Sequence, residues 1–115
     1  MKSPITTHVL DTGRGKPAAG VPVVLEMKEK SGQWKELARG ITDKDGRVSN
    51  LLSEQHKLES GSYRITFDTG AYFSAQGTHS MFLTVMIPFE IKETAEHYHI
   101  PLLLSPFGYS TYRGS

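Results

Sequence analysis

The last nineteen residues, HYHIPLLLSPFGYSTYRGS at positions 97–115, decide the fold of this chain. Successive side chains of a β-strand point to opposite faces, so a strand over 97–104 has one apolar and aromatic face composed of Tyr98, Ile100, Leu102 and Leu104. The opposite face carries His97, His99, Pro101 and Leu103. A hydrophobic core explains the first face, but it gives no reason for two imidazoles two residues apart on the second. We therefore expect a functional surface there.

A turn follows this strand at Ser105-Pro106-Phe107-Gly108, because proline fixes its own φ and glycine permits a reversal. The next strand, 109–112, is therefore predicted to pair antiparallel with the first. Other stretches show the alternation typical of strands and are bounded by turn residues, namely 5–11, 21–30, 34–42, 47–49, 62–69 and 81–91. We expect the first three of these to form antiparallel sheet joined by short turns.

Helix is predicted only in short pieces. Residues 51–58 are compatible with one or two helical turns, and residues 70–77 with a short helix that lies over a sheet edge. Pro88 cannot donate to a ladder, which predicts that 81–91 is an edge strand or contains a bulge. About eight strands of this length and spacing are typical of an all-β sandwich.

Length, charge and cysteine content narrow the class of protein. A chain of 115 residues is expected to form a single domain, 1–115. With 13 basic and 12 acidic residues the net charge is +1, so charge offers no case for nucleic acid or an anionic membrane as partner. The absence of cysteine excludes disulfides, thiol catalysis and thiolate metal sites. No apolar run approaches the roughly 20 residues of a membrane span, and no secretory signal is visible. We expect a cytoplasmic protein.

The whole stretch 97–115, which ends in Tyr-Arg-Gly-Ser, resembles the closing signature of the transthyretin-related proteins that act as 5-hydroxyisourate hydrolases in urate breakdown. Other matching pieces are TTHVLD at 6–11, TDKDGR at 42–47, GSY at 61–63 and TGAYF at 69–73. The resemblance covers nearly the whole chain. It implies a transthyretin-like β-sandwich of two four-stranded sheets with one short helix. It also implies a homotetramer, a dimer of dimers with its sites at the subunit interface.

The resemblance implies a cofactor-free enzyme that acts on a small purine-derived molecule. The expected reaction is hydrolysis of 5-hydroxyisourate to 2-oxo-4-hydroxy-4-carboxy-5-ureidoimidazoline. One alternative with the same fold is a transthyretin-like carrier of a hormone or another small molecule, and a third is a plain sandwich used for protein contacts. A carrier needs an open channel with a lysine-type cationic mouth, and His8, Arg47 and Tyr112 argue against that.

Three residues are candidates for catalysis by this resemblance: His8, Arg47 and His99. In transthyretin the position of His8 holds a channel-lining lysine, that of Arg47 an acidic residue at the channel mouth, and that of His99 lines the ligand channel. An imidazole, with a free pKa of about 6.5, can accept a proton from water, and a guanidinium suits ring carbonyls and developing negative charge. We expect His8 to be the base and His99 to orient or relay. Taken alone, each residue has a blander interpretation, a histidine bonded to a backbone carbonyl or a solvated arginine.

The resemblance also implies a set of substrate-binding residues, namely His97, Pro101, Leu103, Ser110, Tyr112 and Ser115. Ser110 and Tyr112 are expected to face the channel, where a tyrosine would close an open tube into a shallow pocket. Arg113 and Gly114 are expected to anchor the tail.

A zinc site is the lesser alternative for the histidines. His8, His97 and His99 can supply three nitrogen ligands. No carboxylate at a recognisable spacing accompanies them, and an arginine in the same pocket would repel a dication. We therefore expect no metal.

Overall fold

The computed structural model of the chain describes residues 3–115. Within that range the elements are β1 (Ile5–Asp11), β2 (Lys16–Pro17), β3 (Pro22–Lys28), β4 (Trp34–Ile41), β5 (Gly61–Phe67), α1 (Thr69–Ser74), β6 (Val85–Ile91), β7 (Tyr98–Ser105) and β8 (Gly108–Thr111). The predicted all-β class with one short helix is confirmed. No helix in this part of the chain is both long and apolar enough to cross a bilayer.

The strands form two four-stranded sheets, in the orders β2-β1-β7-β8 and β4-β3-β5-β6. β7 and β8 form the predicted antiparallel hairpin, in which Ser105 pairs with Gly108. β1 and β7 run parallel, with Ile5 beside Tyr98. The sequence suggested that the first three long strands form one antiparallel sheet, and this prediction is wrong. The glycine- and proline-rich segment after β1 is long enough to carry the chain into the other layer before β3 begins.

The core lies between the sheets and is built by the period-two alternation of the strands. In β1 every second residue from Ile5 to Asp11 is buried, and in β5 the buried set is Tyr63, Ile65 and Phe67. Their partners from β7 are Tyr98, Ile100, Leu102 and Leu104, as predicted. Because every second side chain of β1 and β7 points into the core, the side chains between them lie on the outer face of the sheet.

Three local predictions differ from the structure. Residues 51–58 form turns rather than a helix: Leu51, Leu52 and Leu58 are buried, and the backbone N–H of Leu52 donates to Ser3 Oγ. Residues 47–49 form no strand beyond a single bridge between Arg47 and His8. Residues 81–84 precede β6, because their backbone groups bond the β7–β8 turn and the start of α1 instead of a neighbouring strand. β6 itself ends its sheet, as the proline within it predicted.

Helix α1 is fastened to β1 by a buried hydrogen bond. Asp68 caps the helix by accepting the backbone N–H of Ala71. From the first turn Tyr72 reaches across and donates its hydroxyl to Asp11 Oδ2 at 2.7 Å. Asp11 is only 2% exposed, so this partner satisfies a carboxylate that would otherwise be costly to bury. A hydrogen bond to a charged group of this kind contributes about 1.5–3 kcal/mol.

Candidate active site

The outer face of the β1–β7 pair brings together residues from the two ends of the chain. Thr6 lies beside His99, and His8 lies beside Pro101. Thr6, His8 and His99 are all half-buried, whereas the alternate residues of both strands point into the core. The alternation of β1 and of β7 thus determines which side chains share this face, and the parallel register determines which of them become neighbours.

The Thr6 hydroxyl lies between two imidazoles. Thr6 Oγ1 is 2.8 Å from His99 Nδ1 and 3.0 Å from His97 Nε2. The two rings are nearly parallel, at an interplanar angle of 14°, and their centroids are 6.5 Å apart. Both distances are hydrogen-bond distances, so the hydroxyl orients the two rings with respect to each other.

Arg47 reaches this face through the tight turn at 43–46. Asp43 Oδ1 accepts the backbone N–H groups of Asp45 at 2.9 Å and of Arg47 at 3.0 Å. The carbonyl of Gly46 accepts the N–H of Val9 on β1 at 2.8 Å. Gly46 has a φ of 77°, and a Cβ there would lie 2.3 Å from the Val9 carbonyl oxygen, so the turn can approach β1 this closely only with glycine.

The same hydrogen bonds perturb the carboxyl group of the turn. The backbone N–H of Arg47 and, to a smaller extent, that of Asp45 hold the pKa of Asp43 below its usual range, because they stabilise the ionised form. At neutral pH the turn therefore keeps its charged acceptor, and this acceptor fixes the backbone from which the Arg47 side chain projects.

The C-terminal tail folds back over β7. The backbone N–H of Gly114 donates to the carbonyl of His99 at 2.9 Å. The Arg113 guanidinium donates to Glu96 Oε1 at 2.8 Å and lies over the Tyr98 ring, with its carbon 4.5 Å from the ring centroid. Arg113 and Gly114 thus anchor the tail, and the anchoring brings Ser115 to the histidines.

A Cβ on Gly114 would lie 2.6 Å from His99 Cδ2 and 3.0 Å from Pro101 Cγ. The φ of Gly114 is not in the left-handed region, so the glycine is needed here for close approach and not for backbone freedom. The tail therefore packs directly against the edge of the His99 ring.

These segments enclose a pocket of about 340 Å³. Its lining residues come from β1, the segment after the turn, β7 and the tail: Thr6, Thr7, Arg47, Val48, Ser49, His97, His99 and Ser115. Of the predicted site residues, the pocket brings together Arg47, His97, His99 and Ser115. Val48 and Ser49 were missed, because nothing in the sequence indicated that the residues after Arg47 belong to a site. Thr6 was missed although the alternation of β1 placed it on the same side as His8.

The other predicted site residues lie outside this pocket. His8 is on the same outer face, bridged through its backbone to Arg47, and Pro101 is buried beneath the tail. Leu103 and Ser110 are paired with each other further along the hairpin.

Tyr112 does not line this pocket. It lines a second hollow of about 330 Å³, together with His99 and with Ile87 and Phe89 of β6. β8 ends at Thr111, so Tyr112 lies just beyond the strand.

A third hollow, of about 690 Å³, adjoins the pocket. His97 lines both of them, and its side chain is exposed. His97 therefore lies at the mouth of the smaller pocket, whereas His99 lies deeper. Within residues 3–115 no group of three or more His, Cys, Asp or Glu side chains is arranged to hold a metal ion.

Comparison with known proteins gives concordant results. Residues 5–114 match the family model described as HIUase/Transthyretin family. The chain is 49% identical over 111 residues to the 5-hydroxyisourate hydrolase of Salmonella dublin, which covers 96% of this chain and 80% of that protein. Among solved structures, it resembles the 5-hydroxyisourate hydrolase of Klebsiella pneumoniae with a TM-score of 0.84 and 38% identity, over 96% of this chain and 98% of the other.

Sea bream transthyretin, solved in complex with thyroxine, is similar with a TM-score of 0.91 and 36% identity, over 97% of this chain and 95% of the other. A 5-hydroxyisourate hydrolase and a transthyretin that binds thyroxine thus share this fold, and likeness of the backbone does not separate them. The family model matches the chain from β1 to the tail, and the relatives align over nearly its whole length. The chain therefore belongs to the HIUase/Transthyretin family.

Proposed function

We propose that this protein hydrolyses 5-hydroxyisourate, opening its six-membered ring to give 2-oxo-4-hydroxy-4-carboxy-5-ureidoimidazoline. The observation that carries the proposal is that His97, His99 and Arg47 line one pocket of about 340 Å³. That volume lies at the lower end of the range of about 300–1,000 Å³ for small-molecule sites and suits a bicyclic purine derivative. The relatives named as 5-hydroxyisourate hydrolases support the same substrate.

In this proposal a histidine removes a proton from the water that attacks a ring carbonyl. His99 takes this role here, and not His8 as the sequence suggested, because His99 lines the pocket and is oriented by Thr6. A positioned general base of this kind contributes about 10²–10⁴-fold to the rate. His8 lies one alternate position along β1 from Thr6, roughly 7 Å away by strand geometry, within reach of a substrate ring held beside Arg47.

Arg47 has two roles in the proposal. Its planar guanidinium binds ring carbonyl oxygens, and it stabilises the oxyanion that forms when water attacks. A preorganised cation at such a position is worth about 3–4 kcal/mol in the transition state, by analogy with the loss of one oxyanion-hole donor. The turn at 43–46, docked on β1 through Gly46, supplies the preorganisation because it fixes the Arg47 backbone before substrate binds.

We further propose that the protein assembles as a homotetramer, a dimer of dimers, with sites at the subunit interface. β6 and β8 end their sheets, and their outer edges can pair with another chain. Exposed apolar side chains lie on these strands or beside them: Met86, Phe107, Tyr109 and Tyr112. A second copy over the outer face of β1 and β7 would also shield the pocket from bulk water. Sedimentation should give four times the chain mass of 12.8 kDa, and an active monomer would contradict this assembly.

The second candidate function is a carrier of a hormone or similar small molecule, favoured by the likeness to a transthyretin solved with thyroxine. Absorbance of freshly generated 5-hydroxyisourate separates the two candidates. A hydrolase accelerates its decay, and a carrier binds thyroxine without affecting that decay.

Two substitutions test the assignment of the site. His99→Ala and Arg47→Ala should each lower kcat/KM at least about 10²-fold while circular dichroism stays unchanged. His79→Ala is the matched control, because the exposed His79 ring lies near the Phe107 ring, with 6.1 Å between centroids, and outside the pocket. Near-normal rates in both pocket variants would refute the proposed site.

A further inference from the structure

The hydrogen bonds of Thr6 impose a constraint on the two histidines that contact it. A hydroxyl group has one proton to donate and can accept through its lone pairs. Thr6 Oγ1 is within hydrogen-bond distance of His99 Nδ1 and of His97 Nε2. When both rings are neutral, the hydroxyl can donate to only one of these nitrogens, so the other nitrogen must carry a proton and donate to the hydroxyl. The tautomers of the two rings are therefore coupled in opposite senses.

We propose that Thr6 is a positioning residue that couples the protonation of His99 to that of His97 and so connects the buried end of the pocket to solvent. The inference rests on the proposed function, because it assigns His99 as the group that takes a proton from water. His99 is half-buried beneath Gly114, whereas His97 is exposed and lines the adjoining hollow as well. A proton that passes from His99 to His97 therefore moves from the site of the reaction toward bulk water.

The transfer involves two bonds broken and two formed. At the start His99 Nδ1–H donates to Thr6 Oγ1, and Thr6 Oγ1–H donates to His97 Nε2. When His99 gains a proton at Nε2 from the attacking water, its Nδ1–H bond breaks as a new O–H bond forms on Thr6. The original O–H bond breaks as an N–H bond forms at His97 Nε2. His99 ends neutral with its proton on Nε2, and the positive charge ends on His97, which releases a proton to water.

The reverse transfer serves the second half of the reaction. When His99 gives its Nε2 proton to the departing ring nitrogen, Thr6 returns a proton to His99 Nδ1 and receives one from His97 Nε2. As its Nε2–H bond breaks, His97 takes a proton from water at Nδ1 and stays neutral. Each ring thus returns to its starting tautomer, and no charge stays on the half-buried His99 between the two halves of the reaction.

Thr6→Val and Thr6→Ser test the coupling. Valine keeps the branched shape without a hydroxyl, and serine keeps the hydroxyl. Thr12→Val is the matched control, because its hydroxyl donates to the carbonyl of Leu104 at the far end of the same strand pair and lies outside the pocket. Thermal unfolding of each variant, measured in parallel, identifies any that fails to fold.

The first readout needs no substrate. Imidazole ¹⁵N chemical shifts, followed through a pH titration, should show opposite protonation at His99 Nδ1 and His97 Nε2 wherever both rings are neutral, in the wild type and in Thr6→Ser. In Thr6→Val the two rings should titrate independently. Titration curves that are the same in Thr6→Val and in the wild type would refute the coupling, whatever the substrate of the protein is.

The second readout is kinetic. Thr6→Val should lower kcat for 5-hydroxyisourate at least tenfold, with KM within about twofold and an altered pH profile of kcat, since transition-state proton transfer but not binding is affected. Thr6→Ser should recover most of the loss, and Thr12→Val should match the wild type. If the two rings titrate as a coupled pair but the wild type does not turn over 5-hydroxyisourate, the proposed function is refuted, and the catalytic role of the coupling is refuted with it. Wild-type kcat in Thr6→Val would refute the relay alone.

Discussion

Gly114→Ala is the substitution that most directly tests whether the tail holds the proposed base in place. The added methyl would lie 2.6 Å from His99 Cδ2 and 3.0 Å from Pro101 Cγ. The backbone at Gly114 is not in the left-handed region, so alanine introduces no conformational strain of its own. The His99 ring is the neighbour that must shift, because Pro101 is a rigid ring in the strand and Arg113 holds the tail against β7.

The geometry gives the size of the effect. To reach 3.4 Å, the near limit of ordinary van der Waals contact, His99 and the tail must separate by about 0.8 Å. A displacement of about 1 Å at a reacting group costs about 10²-fold in rate. The cost in stability is small by comparison, since the shift weakens chiefly the hydrogen bond from Gly114 N–H to the His99 carbonyl, worth about 1 kcal/mol, while the Arg113 contacts remain.

We therefore expect Gly114→Ala to lose about 10²-fold in kcat/KM for 5-hydroxyisourate while its free energy of unfolding in urea falls by only about 1 kcal/mol. Gly108→Ala is the control on the same hairpin, because a Cβ there would meet only Ser105 Oγ at 3.8 Å. Turnover of Gly114→Ala within twofold of the wild type would refute the argument. An equal loss in Gly108→Ala would assign the effect to the hairpin and not to contact with His99.

Two other predictions concern hydrogen bonds that support the site. Tyr72→Phe should lower the free energy of unfolding by about 1.5–3 kcal/mol, because it leaves Asp11 buried without its hydroxyl donor, whereas the exposed Tyr109 should tolerate the same change in chemical denaturation. Burial and, to a smaller extent, the hydrogen bond to Asp11 raise the pKa of Tyr72 above its free value, so this stabilisation is present below about pH 10 and is lost as pH rises through the raised pKa. The difference in free energy of unfolding between the wild type and Tyr72→Phe should therefore shrink at high pH, and a difference that stays constant would contradict the assignment. Asp43→Ala removes the acceptor for the N–H of Arg47 and should raise KM or lower kcat about tenfold. Asp43→Asn keeps an acceptor oxygen, so its activity should fall less. If both variants lose the same activity in steady-state kinetics, the charge of Asp43 and not the geometry of the turn is what matters.

Local patterns predicted which residues face the core, but not which strands become neighbours. The alternation in 97–104 separated Leu102 and Leu104 from His97 and His99 because the strand period is two whatever the strand pairs with. The parallel pairing of β1 and β7 could not be read in this way. It joins Thr6 and His99, which are 93 residues apart, and no local signal carries that information.

The candidate site was predicted in part, and the errors have physical causes. Resemblance to a family supplied Arg47, His99 and Ser115, which the structure brings into one pocket. Thr6 was overlooked because a threonine on a strand is ordinary, and only its position between two rings gives it a role. Tyr112, which the resemblance placed at the channel, lies just past the end of β8 and lines the second hollow instead of the pocket.

Chemistry on the outer face of β1 and β7, and not topology, separates the two candidate functions. The chain is similar over nearly its whole length to solved structures of a 5-hydroxyisourate hydrolase and of a transthyretin in complex with thyroxine, so the features those proteins share favour neither candidate. The pocket is lined by His99, His97 and the cationic residue Arg47. An apolar ligand placed over these groups would desolvate them without compensation, and a carrier gains nothing from that. Hydrolysis of a cyclic amide needs both a proton acceptor and stabilisation of developing negative charge, and this face supplies the two side by side.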